Sequence, residues 1–243
     1  MWTSLHSRFV AVPSGIARKI RTILDVQDVP MTPPARRGGR SWLLHPRRLE
    51  VLLAAAAYPG LHLRSASRLL LQPLPSLRYH VAQLVDQGFL ERRQYGGRTA
   101  LFASGMYPRA SERFLVAWED AIDRAILVAL AGRPTTKTDR IAEAARLSPP
   151  ALTMRLRRLA AIGAVRLSRA SVPRVSVTRQ WRAFERDCHA RTGVRLDRFL
   201  GLLERDDLHP AAETLDRGRV RITVDGPRSR IRFVLPLDPI ARG

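Results

Sequence analysis

The chain is almost without cysteine and almost without lysine. A single cysteine, Cys188, excludes an internal disulfide framework, a cysteine-based zinc module and a paired-cysteine metal sensor. Lys19 and Lys137 are the only lysines, so arginine supplies 40 of the 42 basic residues. Long apolar runs are missing too. The longest, Val51 to Tyr58, is eight residues, against the roughly 20 that a membrane helix requires. The N-terminal stretch lacks the charged head, apolar run and small-residue cleavage site of a secretory signal. Gly38-Gly39 and Gly96-Gly97 lack the Lys-Ser/Thr of a phosphate loop. The six histidines (6, 45, 62, 80, 189 and 209) show no metal-ligand spacing. Cys188 and His189 are adjacent, and neighbours on a helix do not face each other. No catalytic constellation is legible. The expectation is a protein that is not an enzyme, with no cofactor, no metal and no membrane partner, placed in the cytoplasm at the nucleoid.

What is present is positive charge. The 243 residues, 45% hydrophobic, leave room for one or two folded domains and exclude wholesale disorder. Acidic residues number 21, so the net charge is +21 and the isoelectric point lies near 11.7. A GC-rich coding sequence would explain arginine over lysine. It would not explain twice as many bases as acids. Net charge is +5 over residues 1–45, +5 over 46–107, +8 over 108–180 and +3 over 181–243. The excess is therefore spread over the chain, as a folded cationic surface requires, and points to a polyanion.

Residues 1–44 read as a flexible basic arm, with four prolines and Arg36-Arg37-Gly38-Gly39-Arg40. Met31 within it offers an alternative start. Beyond the arm, residues 46–90 align without gaps on 121–165. The identical pairs are Leu52/Leu127, Ala54/Ala129, Ala56/Ala131, Pro59/Pro134, Pro75/Pro150, Leu77/Leu152, Leu84/Leu159 and Gly88/Gly163. Apolar pairs such as Val81/Leu156 keep the same phase, the pattern of a module present twice.

Each copy predicts an apolar helix (Leu49 to Tyr58; Ala121 to Ala131) stopped by Pro and Gly. A second helix follows (Arg64–Leu71; Asp139–Arg146). A third carries proline in its first turn and apolar residues at i, i+4 and i+7: Leu77, Val81, Leu84 and Leu152, Leu156, Leu159. A hairpin turning at Gly96-Gly97 closes the first copy. Shorter runs, Val165 to Ser168 and Val175 to Thr178, close the second. This is the element order of a winged helix-turn-helix. The stretches Pro59-Gly60-Leu61-His62-Leu63-Arg64 and Leu77-Arg78-Tyr79-His80-Val81-Ala82-Gln83-Leu84-Val85-Asp86-Gln87-Gly88-Phe89-Leu90 resemble the ArsR/MarR-like winged-helix transcriptional regulators. The resemblance is good over 45–105 and looser over 115–180, where Arg155 replaces His80 and Ala164-Val165 replace Phe89-Leu90. It implies a mainly α fold with small β wings, in tandem winged helix-turn-helix modules at 45–107 and 112–178. Beyond them, apolar patterning predicts a C-terminal helical segment at 179–207, with Gly193 as a candidate break, and a β-hairpin at 217–238. The resemblance also implies a transcriptional regulator whose partner is double-stranded DNA.

With Leu77, Val81 and Leu84 facing inward, Ser76, Tyr79 and Gln83 face out and Arg78 flanks them. Gln pairs with adenine and Arg with guanine in the major groove, each worth about 1–3 kcal/mol of discrimination. His80 sits at the core edge as a structural residue. The second copy exposes Met154, Arg157 and Arg158, flanked by Thr153 and Arg155, and three arginines in four residues suit phosphates. The expectation is that copy one reads bases and copy two grips the backbone, against the alternative of a merely solvated arginine face. Arg92, Arg93 and Arg98 in one wing, with Arg169 and Arg174 in the other, suit phosphates or a narrow minor groove. Two apolar stripes over 179–206 (Trp181, Phe184, Cys188; Leu196, Phe199, Leu200, Leu203) either form a homodimer or cover the modules of their own chain. The hairpin near 219–237 either joins the core or closes a dimer. The rival functions are a plasmid or replication initiator and an architectural nucleic-acid binder.

Overall fold

A computed structural model describes residues 42–168, 174–216, 218–225 and 230–241, so the basic arm expected at 1–44 lies almost wholly outside the described residues. At the centre is α1 (Pro46–Ala57), in which every residue from Val51 to Ala57 is buried. A helix that is apolar all round must be enclosed on every side. Here α3, the first wing and the C-terminal sheet enclose it. Gly60, at φ +86°, turns the chain after α1 and donates to the Leu101 carbonyl at 2.9 Å. β1 (Leu61–His62), α2 (Leu63–Leu69) and α3 (Leu74–Asp86) follow. β2 (Leu90–Tyr95) and β3 (Arg98–Ala103) form the wing. Gly96 and Gly97 both have positive φ (55° and 74°), as a two-residue I′ hairpin turn demands. The sheet order is β1-β3-β2.

The chain then runs through α4 (Arg109–Glu119). The repeat does not announce this helix because it falls between the copies. The same sequence of elements follows: α5 (Ala121–Leu130), β4 (Thr136–Lys137), α6 (Thr138–Ala145), α7 (Pro149–Ala161), β5 (Val165–Leu167) and β6 (Arg174–Val177). Its sheet order, β4-β6-β5, repeats the first. The duplication extends to backbone detail. Leu71 and Arg146, 75 residues apart, both turn the chain between the second and third helix with left-handed φ of 51° and 53°. Gly88 and Gly163 end the third helices at φ 72° and 78°. The short strands β1 and β4 give no periodic signal. Each is two residues long and exists only because the wing offers an edge.

The C-terminal region departs from expectation in its sheet, while its helical segment is broken close to Gly193: it forms two helices, α8 (Arg179–Ala190) and α9 (Thr192–Glu204). They break at Arg191 (φ −105°, ψ 27°), and Gly193 lies inside α9. The break is held by Arg195, which reaches back to donate to the Cys188 carbonyl and so satisfies an orphan acceptor at the end of α8. The expected hairpin is two strands of a three-stranded sheet, β7 (Pro210–Thr214), β8 (Arg219–Asp225) and β9 (Arg230–Pro236), in the order β7-β8-β9. β7 is Pro-Ala-Ala-Glu-Thr and almost wholly exposed, so it carries no alternation to detect. Both apolar stripes pack within the chain. Trp181 and Phe184 lie 5.6 and 5.2 Å from Phe114 of α4, ring to ring. Phe199 meets Phe233 edge-on at 6.3 Å. The hairpin's apolar face (Val220, Ile222, Val224, Ile231, Phe233, Leu235) is buried in the same way.

Candidate nucleic-acid interface

In α3, Leu77, Val81 and Leu84 are at most 1% exposed. That forces Ser76, Arg78 and Tyr79 to the outside, with Gln83 half-buried beside them. Tyr79 is 58% exposed, with only the His80 ring edge-on to it at 5.3 Å among the aromatic rings described. His80 is buried on the inner flank, 5.3 Å ring to ring from His45, the residue that starts α1. Burial, their mutual charge and Arg48 hold His80 below its ordinary pKa, and burial and Arg48 lower His45 as well. Arg64 and Arg68 of α2 are exposed too. They lie outside the third-helix signature, and only exposure marks them.

The first wing divides its arginines by strand alternation. Arg92 and Arg98 are exposed. Arg93 points the other way, pairs with Glu91 and lies 3.8 Å from the buried Glu112 of α4. The Tyr95 hydroxyl donates to the same Glu112 at 2.8 Å, and burial together with that carboxylate pushes the phenol up to about 12. Neighbours on a strand cannot both face one ligand, so Arg93, expected beside Arg92 on the wing surface, instead ties the wing to α4.

The third helix of the second copy also differs from expectation. Thr153, Met154 and Arg157 are exposed, and Thr153 donates back to the Pro149 carbonyl at 2.9 Å. Arg155 and Arg158, expected as DNA contacts, are engaged internally. Arg155 donates to Asp120 at 2.8 Å and to Asp123 at 3.1 Å. Arg158 donates to Asp120 at 3.3 Å and also pairs with Asp123. Burial opposes the charge on Asp120, but the Arg155 hydrogen bond, the Asp123 backbone amide and both guanidiniums outweigh it and bring its carboxyl down to about 2. Asp120 also caps α5 through the amides of Ile122 and Asp123.

These four positions map onto His45, Arg48, His80 and Gln83 in the first copy, 75 residues earlier. There Arg48 turns away, donating to the Trp42 carbonyl at 3.0 Å with its guanidinium 3.9 Å over the Trp42 ring. Gln83 is left unclamped. Arg166 and Arg174 are exposed on the second wing. Arg166 carried no sequence signal of its own, and Arg169 lies outside the described residues. Among the described residues, Arg78, Arg92, Arg98, Arg157, Arg166 and Arg174 form no ion pair. On the C-terminal sheet, by contrast, Arg219, Arg221 and Arg230 are each neutralised by a carboxylate.

Among the described residues, no group of three or more His, Cys, Asp or Glu could hold a metal, and no helix is long and apolar enough to cross a membrane. Cys188 is buried, which pushes its thiol up to about 12, and His189 pairs with Asp238 instead. The C-terminal region holds the ends of both third helices. Arg205 donates to the carbonyls of Gln87 and Gly88 at 3.2 Å each, and the Gln180 Oε1 sits over Gly163, so that a Cβ there would have to displace the Gln180 side chain.

No curated protein matches the chain. Among solved structures, a crystal structure from T. acidophilum, of IdeR, matches at 15% identity over 85% of this chain and 96% of that one. Its TM-score is 0.21, too low to carry an argument about either fold or function. The family model described as winged helix-turn-helix DNA-binding matches residues 119–166. This is the second copy, from the start of α5 into β5, and not the copy in which the recognition-helix pattern is more complete. Residues 119–166 are therefore similar to a winged helix-turn-helix DNA-binding domain.

Proposed function

We propose that the chain is a sequence-specific, double-stranded-DNA-binding transcriptional regulator in which both copies are winged helix-turn-helix modules. The observation that carries this reading is the repetition itself. The region matched as DNA-binding has the same element order, sheet order and left-handed turn positions as residues 46–103. In the first module α3 enters the major groove, where Arg78, Tyr79 and Gln83 read base edges and Ser76 bonds a phosphate. Arg92 and Arg98 follow the backbone. In the second module Arg157, Arg166 and Arg174 supply phosphate contacts, with Thr153 and Met154 at the groove. Arg155 and Arg158 hold α7 on α5. The apolar stripes once available for a homodimer are used within the chain, so a single chain brings two modules to one duplex.

The test is selection from a randomised duplex pool by the full chain at roughly 150 mM salt. Recovery of a two-part site supports the reading. Recovery of no motif, with binding retained at low salt, supports the architectural role instead.

A further inference from the structure

Beside the modules, a small cleft, partly open to solvent, lies between α4, α8 and α9. Its walls are apolar, with Met106, Phe184 and Val194 among them, and the α8–α9 break with the first turns of α9 gives it charge. Arg191, Arg195 and Arg198 line it at i, i+4 and i+7. Arg195 is the unusual member, because only 4% of it is exposed. Its Nε donates to the Leu237 carbonyl at 2.6 Å and its Nη2 to the Cys188 carbonyl, but no carboxylate comes within 4.0 Å of it among the described residues. A buried guanidinium is normally paired with an anion, because desolvating a lone charge is costly. The cleft holds one carboxylate, Asp187, and it is engaged by Arg191 at 2.9 Å. Arg198 donates to the Gly105 carbonyl at 2.7 Å. Three guanidiniums thus face one carboxylate around an apolar hollow.

We propose that this cleft binds a small monocarboxylate with an apolar body, its carboxylate supplying the counter-charge that Arg195 lacks. Carboxylates match the planar guanidinium fork, and the apolar walls favour a ligand with a hydrocarbon portion over a bare inorganic anion. The helix that carries these arginines ends at Arg205, on the carbonyls that close α3, so a ligand here sits on the element that supports the first module's third helix. The ligand site itself does not depend on the DNA-binding reading.

The experiment is isothermal titration calorimetry on the full chain with hexanoate, the neutral isostere hexanamide and inorganic phosphate, at constant ionic strength and without DNA. The expected result is saturable binding of hexanoate at one per chain, with hexanamide and phosphate at least tenfold weaker. Val194, 44% exposed at the cleft, provides a variant that spares the core. Val194→Trp fills the hollow and is expected to abolish hexanoate binding with the melting temperature unchanged. Arg195→Gln is expected to abolish it as well. No saturation of the wild-type chain by about 10 mM hexanoate, tenfold above a Kd of about 1 mM, would overturn the proposal. So would equal binding of hexanamide or phosphate, or wild-type hexanoate affinity in a folded Val194→Trp chain.

Discussion

Arg157 and Arg158 are adjacent in sequence, carry the same charge and are both exposed to solvent, yet they should behave oppositely when removed. Arg157 has no internal partner among the described residues, whereas Arg158 is held by Asp120 and Asp123. Arg157→Ala should remove one phosphate contact. The slope of log affinity against log salt should then become shallower by about 0.9, with little change in thermal stability. Arg158→Ala should leave that slope nearly unchanged and should destabilise the fold. Asp123 is fully buried, and losing one partner of a buried pair costs about 3–5 kcal/mol when the remaining charge is abandoned. Asp123 keeps Arg155 at 3.1 Å, and Arg158 is itself 45% exposed, so the loss should be smaller, about 1–2 kcal/mol. At about 2–4 °C per kcal/mol for a chain of this size, the melting temperature should fall by roughly 2–8 °C. Fluorescence anisotropy of a labelled duplex between about 50 and 200 mM salt, with a thermal melt of each variant, reads both quantities. The reasoning is refuted if Arg158→Ala flattens the salt dependence as much as Arg157→Ala while melting like the wild type.

Acid should weaken the first module. His45 and His80 are held below their ordinary value, so as pH falls below about 6.5 the unfolded chain takes up protons first. Stability should be constant above that point and decline through the window down to the depressed values, as denaturant titrations at pH 7.5 and 5.5 would show; His80→Gln should flatten part of the decline. Asp120, held near 2 in the fold, contributes about 2 kcal/mol that is present above pH 4 and lost as pH falls through 2, so Asp120→Asn should remove the corresponding part of the acid transition in melts taken between those values. Leu71→Gly should stabilise the chain by up to about 1 kcal/mol, because Leu71 holds a left-handed φ of 51° while 52% exposed; a lower melting temperature would show that its packing outweighs the strain. Gly60→Ala should cost about 1–3 kcal/mol, since its φ is +86° and a Cβ would stand 3.0 Å from the backbone nitrogen of Val116; a neutral effect in chemical denaturation would mean that α4 does not rest on this turn.

The parts of this fold governed by local periodicity were legible before any coordinates. Leu77, Val81 and Leu84 recur at helical spacing, and Gly96-Gly97 can hardly be anything but a tight turn, so the first module's third helix and wing could be placed to within a residue or two. What long-range pairing decides was not legible. β1 and β4 are two residues each, and β7 has no alternation; the break near Gly193 was legible, but not that Arg195 would hold it by reaching a carbonyl seven residues back. The same limit governs the site. Exposure of Ser76, Arg78 and Tyr79 follows from the apolar stripe alone. The inward turn of Arg93 depends on Glu112, and the clamping of Arg155 and Arg158 depends on carboxylates more than thirty residues away. One signal for that clamp did exist. At the four repeat positions where the first copy has His45, Arg48, His80 and Gln83, the second has two aspartates and two arginines. Opposite charges appearing together at equivalent positions of a repeat mark a contact.

The most direct test of the account compares the wild-type chain with the Arg78→Ala/Tyr79→Ala/Gln83→Ala variant in selection from a randomised duplex pool. If α3 reads bases, the wild type recovers a two-part site. The variant loses sequence preference in one part while its low-salt affinity for random duplex, supplied by phosphate contacts, falls only modestly. The same two-part motif from both chains, or no motif from the wild type, would contradict the account.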